Sequence, residues 1–546
     1  MVNPSIVNHG NGNHNADRWT EMMAKMNEKP LIPIRSVIGL LAILSTGFAY
    51  AASANLNLII DPIARDGINL TSSNQKFSQL NQSKPRMLEP KFDSDLPDYY
   101  YFWSLSDRFA IRTAYYYGYL PVNIISGRLC ERFNVVRIML GAHIISMLMT
   151  LLTPISIHGG VIVIFLVRFT QGISHGPILT GIYVLVTRWF PKKELGLVLS
   201  LIFASIAIGQ AVTIPLSGYL CHPLSHRGSS WSSWSMSNDW PAVFYIIGGL
   251  NGTFLVFWWL MVTPDPSSHR WISEYELRLI QRESSSNQRR KIVKVNWYKL
   301  WSSKKIWSVF IAQGSWSIGY ILVTSYLPIY LQFVWSFSNG TNQWIIFYLL
   351  MSIVVTLVIS GPLSDWIIIK KIVHVSITRK IFETCSLLIP AICFIVITFL
   401  SHDTTSILII LTFSMLALGL RAGGDIPLIS EMSPDLVGTV FGIANTASTA
   451  SGLSVPIIVY AILGSKETDD FRWNMIFIVI GCIMILGWFY FIIFASSTPQ
   501  PWGIAPNRSQ SIATVVSIEM PEVSRFRLWF ERRKQRMSQA ALVFKY

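Results

Sequence analysis

Long apolar runs separated by short polar segments dominate the chain from residue 37 onward. A helix that crosses a bilayer needs about 20 mainly apolar residues. Runs of that length predict twelve spans: 37–60, 109–127, 137–157, 160–184, 195–220, 241–263, 306–333, 343–363, 380–401, 406–430, 437–464 and 472–496. The second run is the weakest, because Arg112 interrupts it. The pattern predicts an all-α polytopic membrane protein with twelve transmembrane helices.

Lysine and arginine lie mainly in the loops that follow even-numbered spans. Examples are Arg128 and Arg132 after the second span and Lys370 and Lys371 after the eighth. Because cytoplasmic loops are enriched in these residues, both chain termini are predicted to be cytosolic. The net charge of +15 is therefore a bias of loops and tails. It indicates contact with anionic membrane lipid and no nucleic-acid partner.

Two long polar segments interrupt the series of spans, and the second of them divides the spans six and six. Residues 61–107 are predicted to form an outside loop, and 264–305 a basic cytosolic linker. The predicted parts are a cytosolic N-terminal tail (1–35), a six-helix half (36–263), the linker (264–305), a second half (306–496) and a basic cytosolic tail (497–546). Two such halves are typical of carriers that rock about a site at the midplane.

Glycan acceptor sequons occur on the predicted outer side. Asn69 and Asn81 lie in the long outside loop, and Asn339 lies between the seventh and eighth spans. The motif Asn-x-Ser/Thr makes all three candidate glycosylation sites.

Composition excludes most other classes of protein. The chain is 51% hydrophobic and 13% charged, whereas soluble domains are about 25% charged. A soluble enzyme, a disordered protein and a disulfide-stapled secreted domain are therefore excluded. Five cysteines are too few and too scattered for a disulfide framework or a metal site. Motifs of membrane-embedded enzymes are also missing, so we expect neither an enzyme nor a cofactor.

The first half places two arginines at membrane depth and no carboxylate. Arg168 lies in the fourth span, and Arg112 lies about one turn from the outer end of the second. A guanidinium stays charged and offers two parallel donors to a carboxylate or phosphate. The pattern therefore indicates an anion site. The alternatives are that Arg168 only braces helices through backbone carbonyls, and that Arg112 extends to the membrane surface.

Tyrosines near these arginines are the remaining candidates for substrate contact. Tyr116 belongs to an aromatic run in the second span that either lines a cavity or packs, and Tyr183 lies late in the fourth span.

Three further membrane residues are candidates for coupling or gating. Arg421 and Asp425 are four residues apart, so they can pair on one helix face, as a structural lock or as a pair that opens on protonation. His175 follows Arg168 by two helical turns, and imidazole titrates near neutral pH. Either it carries a coupling proton, or it is simply hydrogen-bonded.

Short motifs in a fixed order carry a resemblance that spans residues 36–503. They are Gly118-Tyr119 through Gly127, Glu131-Arg132-Phe133, Arg168-Phe-Thr-Gln-Gly172, Trp189-Phe-Pro191 with Glu194, Pro215-Leu-Ser-Gly218, Trp240-Pro241, Gly361-Pro-Leu-Ser-Asp365 with Arg379-Lys380, Gly442-Ile-Ala-Asn445 and Gln500-Pro-Trp502. The chain resembles the major facilitator superfamily. Within it, the likeness is to the anion-transporter family of sialin, the vesicular glutamate and nucleotide transporters and the sodium/phosphate cotransporters.

The resemblance implies an alternating-access carrier. Arg168 matches the arginine that clamps the substrate anion, while Asp365 and the basic stretch around Arg132 match motifs that latch the two halves on the inside. Asp365 would pair with nearby cations and gate motion without touching solute.

Several family positions are substituted. An arginine of the first span is Ser53, and the acid after the fourth-span Gln-Gly is His175. A fourth-span histidine is Tyr183, a second-span histidine is Arg112, and the seventh-span arginine of the glutamate transporters is Trp316. Loss of the acid weakens the expectation of family-style proton coupling, and loss of the seventh-span arginine argues against glutamate.

The sequence thus predicts a secondary active transporter of small organic or inorganic anions, coupled to H⁺ or Na⁺. Its expected partners are a small anionic solute and membrane lipid, and we expect a monomer. The membrane is either the plasma membrane or a lysosomal or vesicular one. The main alternative is a non-transporting receptor or scaffold on a degenerate carrier fold. A cation carrier would require a carboxylate at membrane depth whose charge is not compensated. Asp425 is a poor candidate, because Arg421 lies one turn away.

Overall fold

The structure is a computed structural model. It describes residues 32–65, 101–103, 105–220, 240–283, 294–335, 337, 339–400, 404–464 and 469–504.

Six long helices form the first half: α1 Ile34–Ile63, α2 Leu105–Arg132, α3 Val135–His158, α4 Val161–Trp189, α5 Lys192–Leu220 and α6 Pro241–Met261. Two-residue strands, β1 Ala64–Arg65 and β2 Tyr101–Phe102, pair in parallel between α1 and α2. Tight turns join α2 to α3 and α3 to α4. The first of these turns ends at Asn134, whose side chain accepts hydrogen bonds from the amides of Val136 and Arg137 and so caps α3.

The linker contains a 3₁₀ turn, Pro266–Ser268, and two short helices, α7 Glu274–Glu283 and α8 Trp297–Trp301. Glu276 of α7 is buried against the start of α1. Its carboxylate accepts hydrogen bonds from the amides of Ile34, at 3.0 Å, and Arg35, at 2.8 Å. The first amides of a helix have no partner within the helix, so Glu276 caps α1 and ties the linker to the first half.

The second half contains longer and shorter helical pieces: α9 Lys304–Ile321, α10 Leu327–Phe333, α11 Asn339–Ile369, α12 Val375–Ile397, α13 Thr404–Leu418, α14 Asp425–Met432, α15 Val437–Gly452, α16 Ser454–Leu463 and α17 Asp470–Phe494. A π-helical turn, Leu322–Tyr326, joins α9 to α10, and a 3₁₀ turn, Gly419–Gly423, precedes α14. A final 3₁₀ turn covers Pro501–Gly503.

Three apolar runs that the sequence predicts as single spans are therefore broken in the structure. Pro328 and Pro456 each lack the amide that would donate to the residue four positions earlier, Thr324 and Gly452. The α-helical pattern is interrupted at both places, although Pro154 and Pro177 lie inside unbroken helices. The third break is rich in glycine and ends at Gly424, whose backbone torsions of φ −102° and ψ −105° are not helical.

Eleven helices of the described residues are long and apolar enough to cross a membrane. Helix α2 is not among them, because its sequence includes charged residues such as Arg112. It is nevertheless 28 residues long and packs within the bundle. With α2 counted, the described helices agree with the predicted all-α fold of two six-helix halves.

One end of the bundle, here called the basic end, is where α2 ends, α5 begins, α11 ends and α15 begins. The two halves touch closely there. A Cβ atom on Gly127 of α2 would lie 2.1 Å from the carbonyl oxygen of Gly438 in α15. A Cβ on Gly361 of α11 would lie 2.5 Å from the carbonyl oxygen of Gly196 in α5. Only glycine permits these approaches, so the basic end is closed.

Candidate functional site

Arg168 lies in the first half, between α4 and α1, and is 1% exposed. Its Nη1 donates to Oε1 of Gln171 at 2.8 Å. Its Nη2 donates to the carbonyl oxygen of Ser53 at 3.0 Å and to Oδ1 of Asn57 at 3.3 Å. The guanidinium also lies over the ring of Tyr115, with 5.5 Å between Cζ and the ring centroid. These partners are all neutral, so they orient the charge without cancelling it.

A second layer holds Gln171 in place. Its amide nitrogen donates to Oγ1 of Thr150 at 3.2 Å and to the carbonyl oxygen of Ala52 at 3.4 Å. Gln171 therefore links α4 to α3 and α1 while its oxygen faces Arg168. The result is a guanidinium whose direction is fixed by three helices.

One donor of Arg168 is unused. Its Nε is buried and has no hydrogen-bond partner among the described residues. A buried donor without a partner is uncommon in folded proteins, and it marks a place where a ligand atom or water would be stabilised.

His175 lies one layer further along α4 and is also buried. Its Nδ1 is 3.0 Å from the hydroxyl of Tyr115, and its Nε2 is 2.7 Å from the hydroxyl of Ser146. With a hydroxyl at each ring nitrogen, a neutral imidazole can donate to one and accept from the other. The geometry matches the alternative in which His175 braces α2, α3 and α4.

Arg112 and Tyr116 lie on α2, and both are half-buried. Arg112 interacts electrostatically with Tyr326, at the junction of α9 and α10. Tyr116 interacts with Arg168 within its own half and with Tyr320 of α9. The two predicted residues thus lie on the side of α2 that faces the second half of the bundle.

Tyr183 has a different position. Its hydroxyl donates to the carbonyl oxygen of Ile426 in α14, and its ring stacks on Phe441 of α15 with centroids 4.3 Å apart. The side chain is fully occupied in contacts between the halves. A direct role in substrate binding is a prediction that this arrangement does not favour.

Arg421 and Asp425 form a buried ion pair, as their spacing predicts. Nε donates to Oδ1 at 3.2 Å and Nη2 to Oδ2 at 2.8 Å. The pair does not lie on one α-helix, because Arg421 belongs to the 3₁₀ turn and Asp425 begins α14. Arg421 also stacks on Trp316, with Cζ 4.0 Å from the ring centroid. The seventh-span tryptophan thus covers a guanidinium.

Asp365 joins the halves at the basic end. Its Oδ2 accepts a hydrogen bond from the amide of Leu197 in α5 at 3.2 Å, and its Oδ1 lies 4.0 Å from Nη2 of Arg379. Arg379 in turn donates to Oε1 of Glu431 at 2.6 Å. We call Asp365, Arg379, Glu431 and the Leu197 amide the latch.

Arg132, the basic residue predicted to help latch the two halves, is not one of the latch residues. Arg132 is exposed, with its guanidinium 5.6 Å from the ring centroid of its neighbour Phe133. Its other neighbour, Glu131, makes the contact between halves. The carboxylate of Glu131 accepts from the amide of Thr439 at 2.7 Å and from its hydroxyl at 2.6 Å.

The sequence did not indicate the roles of Glu131, Gln171 and Glu431. Glu131 and Glu431 act through partners on other helices, which no short spacing in the chain pairs with them, whereas Gln171 accepts a hydrogen bond from Arg168 three residues earlier on the same helix. In the sequence, Glu131 and Gln171 stand out only as members of short motifs. Among the sequons, Asn69 and Asn81 lie outside the described residues, while Asn339 begins α11.

Long helices in two halves that meet at one end, with a buried guanidinium in the first half and fixed polar networks, are typical of a polytopic membrane transporter. Comparison with known proteins identifies its family. The model of the Major Facilitator Superfamily matches residues 42–456, and the chain belongs to that family. Its members are transporters rather than enzymes, as predicted.

Individual relatives agree with this assignment. The chain is 23% identical to sialin of Homo sapiens over 471 residues, which cover 86% of this chain and 90% of sialin. It is 24% identical to sodium-dependent phosphate transport protein 3 of Mus musculus over 411 residues, covering 74% and 81% of the two chains. The proton:xylose symporter XylE, solved with 6-bromo-6-deoxy-D-glucose, superposes with a TM-score of 0.59 at 14% identity and covers 85% of this chain and 97% of that one. That likeness concerns the fold.

Proposed function

We propose that this protein transports a small organic or inorganic anion by alternating access, with Arg168 as the residue that binds it. The observation that carries the proposal is the charge balance around Arg168. Its three hydrogen-bond acceptors are a side-chain amide oxygen, a backbone carbonyl oxygen and a second amide oxygen. A charge held at membrane depth needs compensation, and an anionic substrate supplies it.

The same contacts are those expected if Arg168 only braces α4 against α1. Two features favour binding over bracing. The Nε donor is unused, and a guanidinium offers its donors in a fork that fits a carboxylate or phosphate. Arg112 and Tyr116, which face α9 and α10 across the bundle, would add positive potential and a hydroxyl to the same space.

The closed basic end sets the direction of access. If that end is cytosolic, as the distribution of lysine and arginine predicts, this structure represents a state that is closed to the cytosol. Anion binding at Arg168 and release of the latch would then alternate. The coupling ion is H⁺ or Na⁺, and we expect the protein in a plasma or organelle membrane with both termini in the cytosol.

Uptake by proteoliposomes tests the proposal. The probes are radiolabelled inorganic phosphate, because one relative is named for phosphate, and radiolabelled sialic acid. Each is offered with an inward proton gradient or an inward sodium gradient. Uptake of at least one probe should be saturable in the unaltered protein and lost in Arg168→Ala.

Arg168→Lys separates charge from geometry, since lysine keeps the charge without the fork. We expect it to retain weak uptake with a raised KM. Arg137→Ala is the matched control, because Arg137 is an exposed arginine at the basic end. Undiminished uptake in Arg168→Ala would show that Arg168 is only a brace.

A further inference from the structure

A buried carboxyl group in the second half has no role in the anion site. Glu383 lies on α12 and is 0% exposed. Its Oε2 accepts one hydrogen bond, from the amide of Asp425 at 3.1 Å, and its Oε1 has no hydrogen-bond partner among the described residues. Its strongest electrostatic neighbours are the side chains of Asp425 and Arg421.

The local charges do not balance if both carboxyl groups are ionised. Asp425, also 0% exposed, takes two hydrogen bonds from Arg421. The only cation in this cluster is thus already paired. An ionised Glu383 would be a buried negative charge supported by a single backbone amide, which is strongly unfavourable. The charge balance therefore favours a neutral Glu383 that holds one proton.

Glu383 lies against the break that leads into α14. A Cβ atom on Gly424 would be 2.4 Å from Oε2 of Glu383, so the carboxyl group fits against bare backbone. The neighbouring carbonyl oxygen, that of Gly423, accepts a hydrogen bond from Nη1 of Arg379 at 3.0 Å. Glu383 and Arg379 of the latch thus both contact the segment 423–425.

Arg379 and Glu383 are also four residues apart on α12, which places them on the same helix face. In the closed structure Arg379 is engaged with Glu431 and lies near Asp365. Of the latch contacts, the one between Asp365 and the amide of Leu197 joins the two halves, whereas Arg379 pairs with Glu431 inside the second half. Arg379 is therefore a cation of the same half, one helical turn from Glu383.

Other ionisable groups around Glu383 do not offer an equivalent site. Helix α13, which packs on α12, has no ionisable side chain between Thr404 and Leu418. The other three long helices on α12 are α9, α11 and α17. Their ionisable residues are Lys304, Lys305, Tyr320, Tyr348, Asp365, Asp470, Arg472, Cys482 and Tyr490, and Asp365 already belongs to the latch. In the first half, His175 has a hydroxyl at each ring nitrogen and lies on the same helix as the positive charge of Arg168.

We propose that Glu383 is the proton-binding group of this carrier. It holds a proton while the basic end is closed. When that end opens, Glu383 releases the proton to water, and Arg379 leaves Glu431 to pair with the new carboxylate. The inference rests on the proposed carrier function. It adds the site of proton coupling, which lies in the opposite half from the anion site.

The test measures opening of the basic end without any anion. Spin labels are placed on cysteines that replace Lys192 and Lys370, two exposed residues on opposite halves at the basic end, after the native cysteines are replaced. Distance distributions are recorded in lipid nanodiscs between about pH 5.5 and about pH 8. We expect the ratio of closed to open protein to fall with rising pH, by up to about tenfold per pH unit for one coupled proton.

Glu383→Gln imitates the neutral acid, so it should remain closed across this range. The control Glu194→Gln changes a carboxyl group at the same end that pairs with Arg35 inside the first half, and its response should equal that of the unaltered protein. His175→Gln should also keep the response. An unchanged pH response in Glu383→Gln, or none in the unaltered protein, would overturn the proposal.

If Glu383→Gln fails to fold, Glu383→Asp replaces it. The shorter acid must shift the midpoint of the pH response, and an unshifted midpoint counts against Glu383. The measurement contains no anion, so a failed anion assignment at Arg168 does not affect this result. Conversely, saturable anion uptake by a protein without any pH response would remove this inference and leave the transport proposal standing.

Discussion

The contact between Glu131 and Thr439 should control how often the basic end opens. The two residues lie on opposite halves, and the Glu131 carboxylate accepts from both the amide and the hydroxyl of Thr439, at 2.7 and 2.6 Å. Glu131→Ala removes both hydrogen bonds and leaves the amide without its partner. Glu131 also pairs with Arg128 of its own helix at 3.2 Å, but that pair lies within one half and is lost whether the basic end is open or closed. The change in the closed-to-open ratio therefore comes from the contact with Thr439.

The size of the effect follows from the type of bond. Hydrogen bonds to a charged group contribute about 1.5–3 kcal/mol each. The side chain of Glu131 is 11% exposed, so water can replace part of what is lost on truncation. We expect a net loss of about 2–3 kcal/mol from the closed state, which changes the closed-to-open ratio by about 30- to 150-fold.

Cysteine labelling measures this ratio. Val440 is 0% exposed in the closed structure, on α15 next to the contact. In a background without native cysteines, a cysteine at this position should react with a soluble maleimide only when the basic end opens. Glu131→Ala should raise its labelling rate by the factor given above.

A matched control removes a carboxylate that does not join the halves. Glu194 pairs with Arg35 at 3.0 Å within the first half, so Glu194→Ala should leave the labelling rate unchanged. If Glu131→Ala also leaves the labelling rate unchanged, the contact between Glu131 and Thr439 does not hold the basic end closed.

Two further substitutions test the packing of the closed state and of the linker. Gly127→Ala should raise labelling of the same cysteine, because its Cβ would meet the carbonyl oxygen of Gly438, whereas Gly141→Ala, with nothing within 4 Å of its Cβ, should not. Glu276→Gln should weaken the cap on α1 by about 1–3 kcal/mol and speed proteolysis of the linker. Exposed Glu274, which pairs with Arg278 within α7, provides the control Glu274→Gln, and equal proteolysis of the two would contradict the capping role.

Helix positions were accessible from the sequence because apolar runs of bilayer length are a strong local signal. Helix α2 was the weak case, since Arg112 interrupts its run although the helix forms. The breaks at Pro328 and Pro456 lie at residues without an amide hydrogen, but prolines such as Pro154 and Pro177 lie inside unbroken helices. Neither run length nor the presence of proline therefore places the breaks. The spacing of Arg421 and Asp425 predicted their pairing, but not the 3₁₀ turn and bare glycine between them.

The polar networks could not be predicted in the same way. Glu131 and Thr439 are 308 residues apart in the chain, and their contact exists only because the two halves close at the basic end. His175 could be recognised as a candidate, but the hydroxyls of Tyr115 and Ser146 that occupy both ring nitrogens come from two other helices. For buried polar groups, tertiary partners decide the role, and those partners are not neighbours in sequence.

Arg168 is the residue that we propose binds the transported anion. The most direct test is a cryo-electron microscopy map of the protein in lipid nanodiscs with the anion that shows saturable uptake. We expect density for the anion within hydrogen-bonding distance of the Arg168 guanidinium, with Nε donating to the anion. Anion density elsewhere in the bundle, with Arg168 still bound only to Ser53, Asn57 and Gln171, would contradict it.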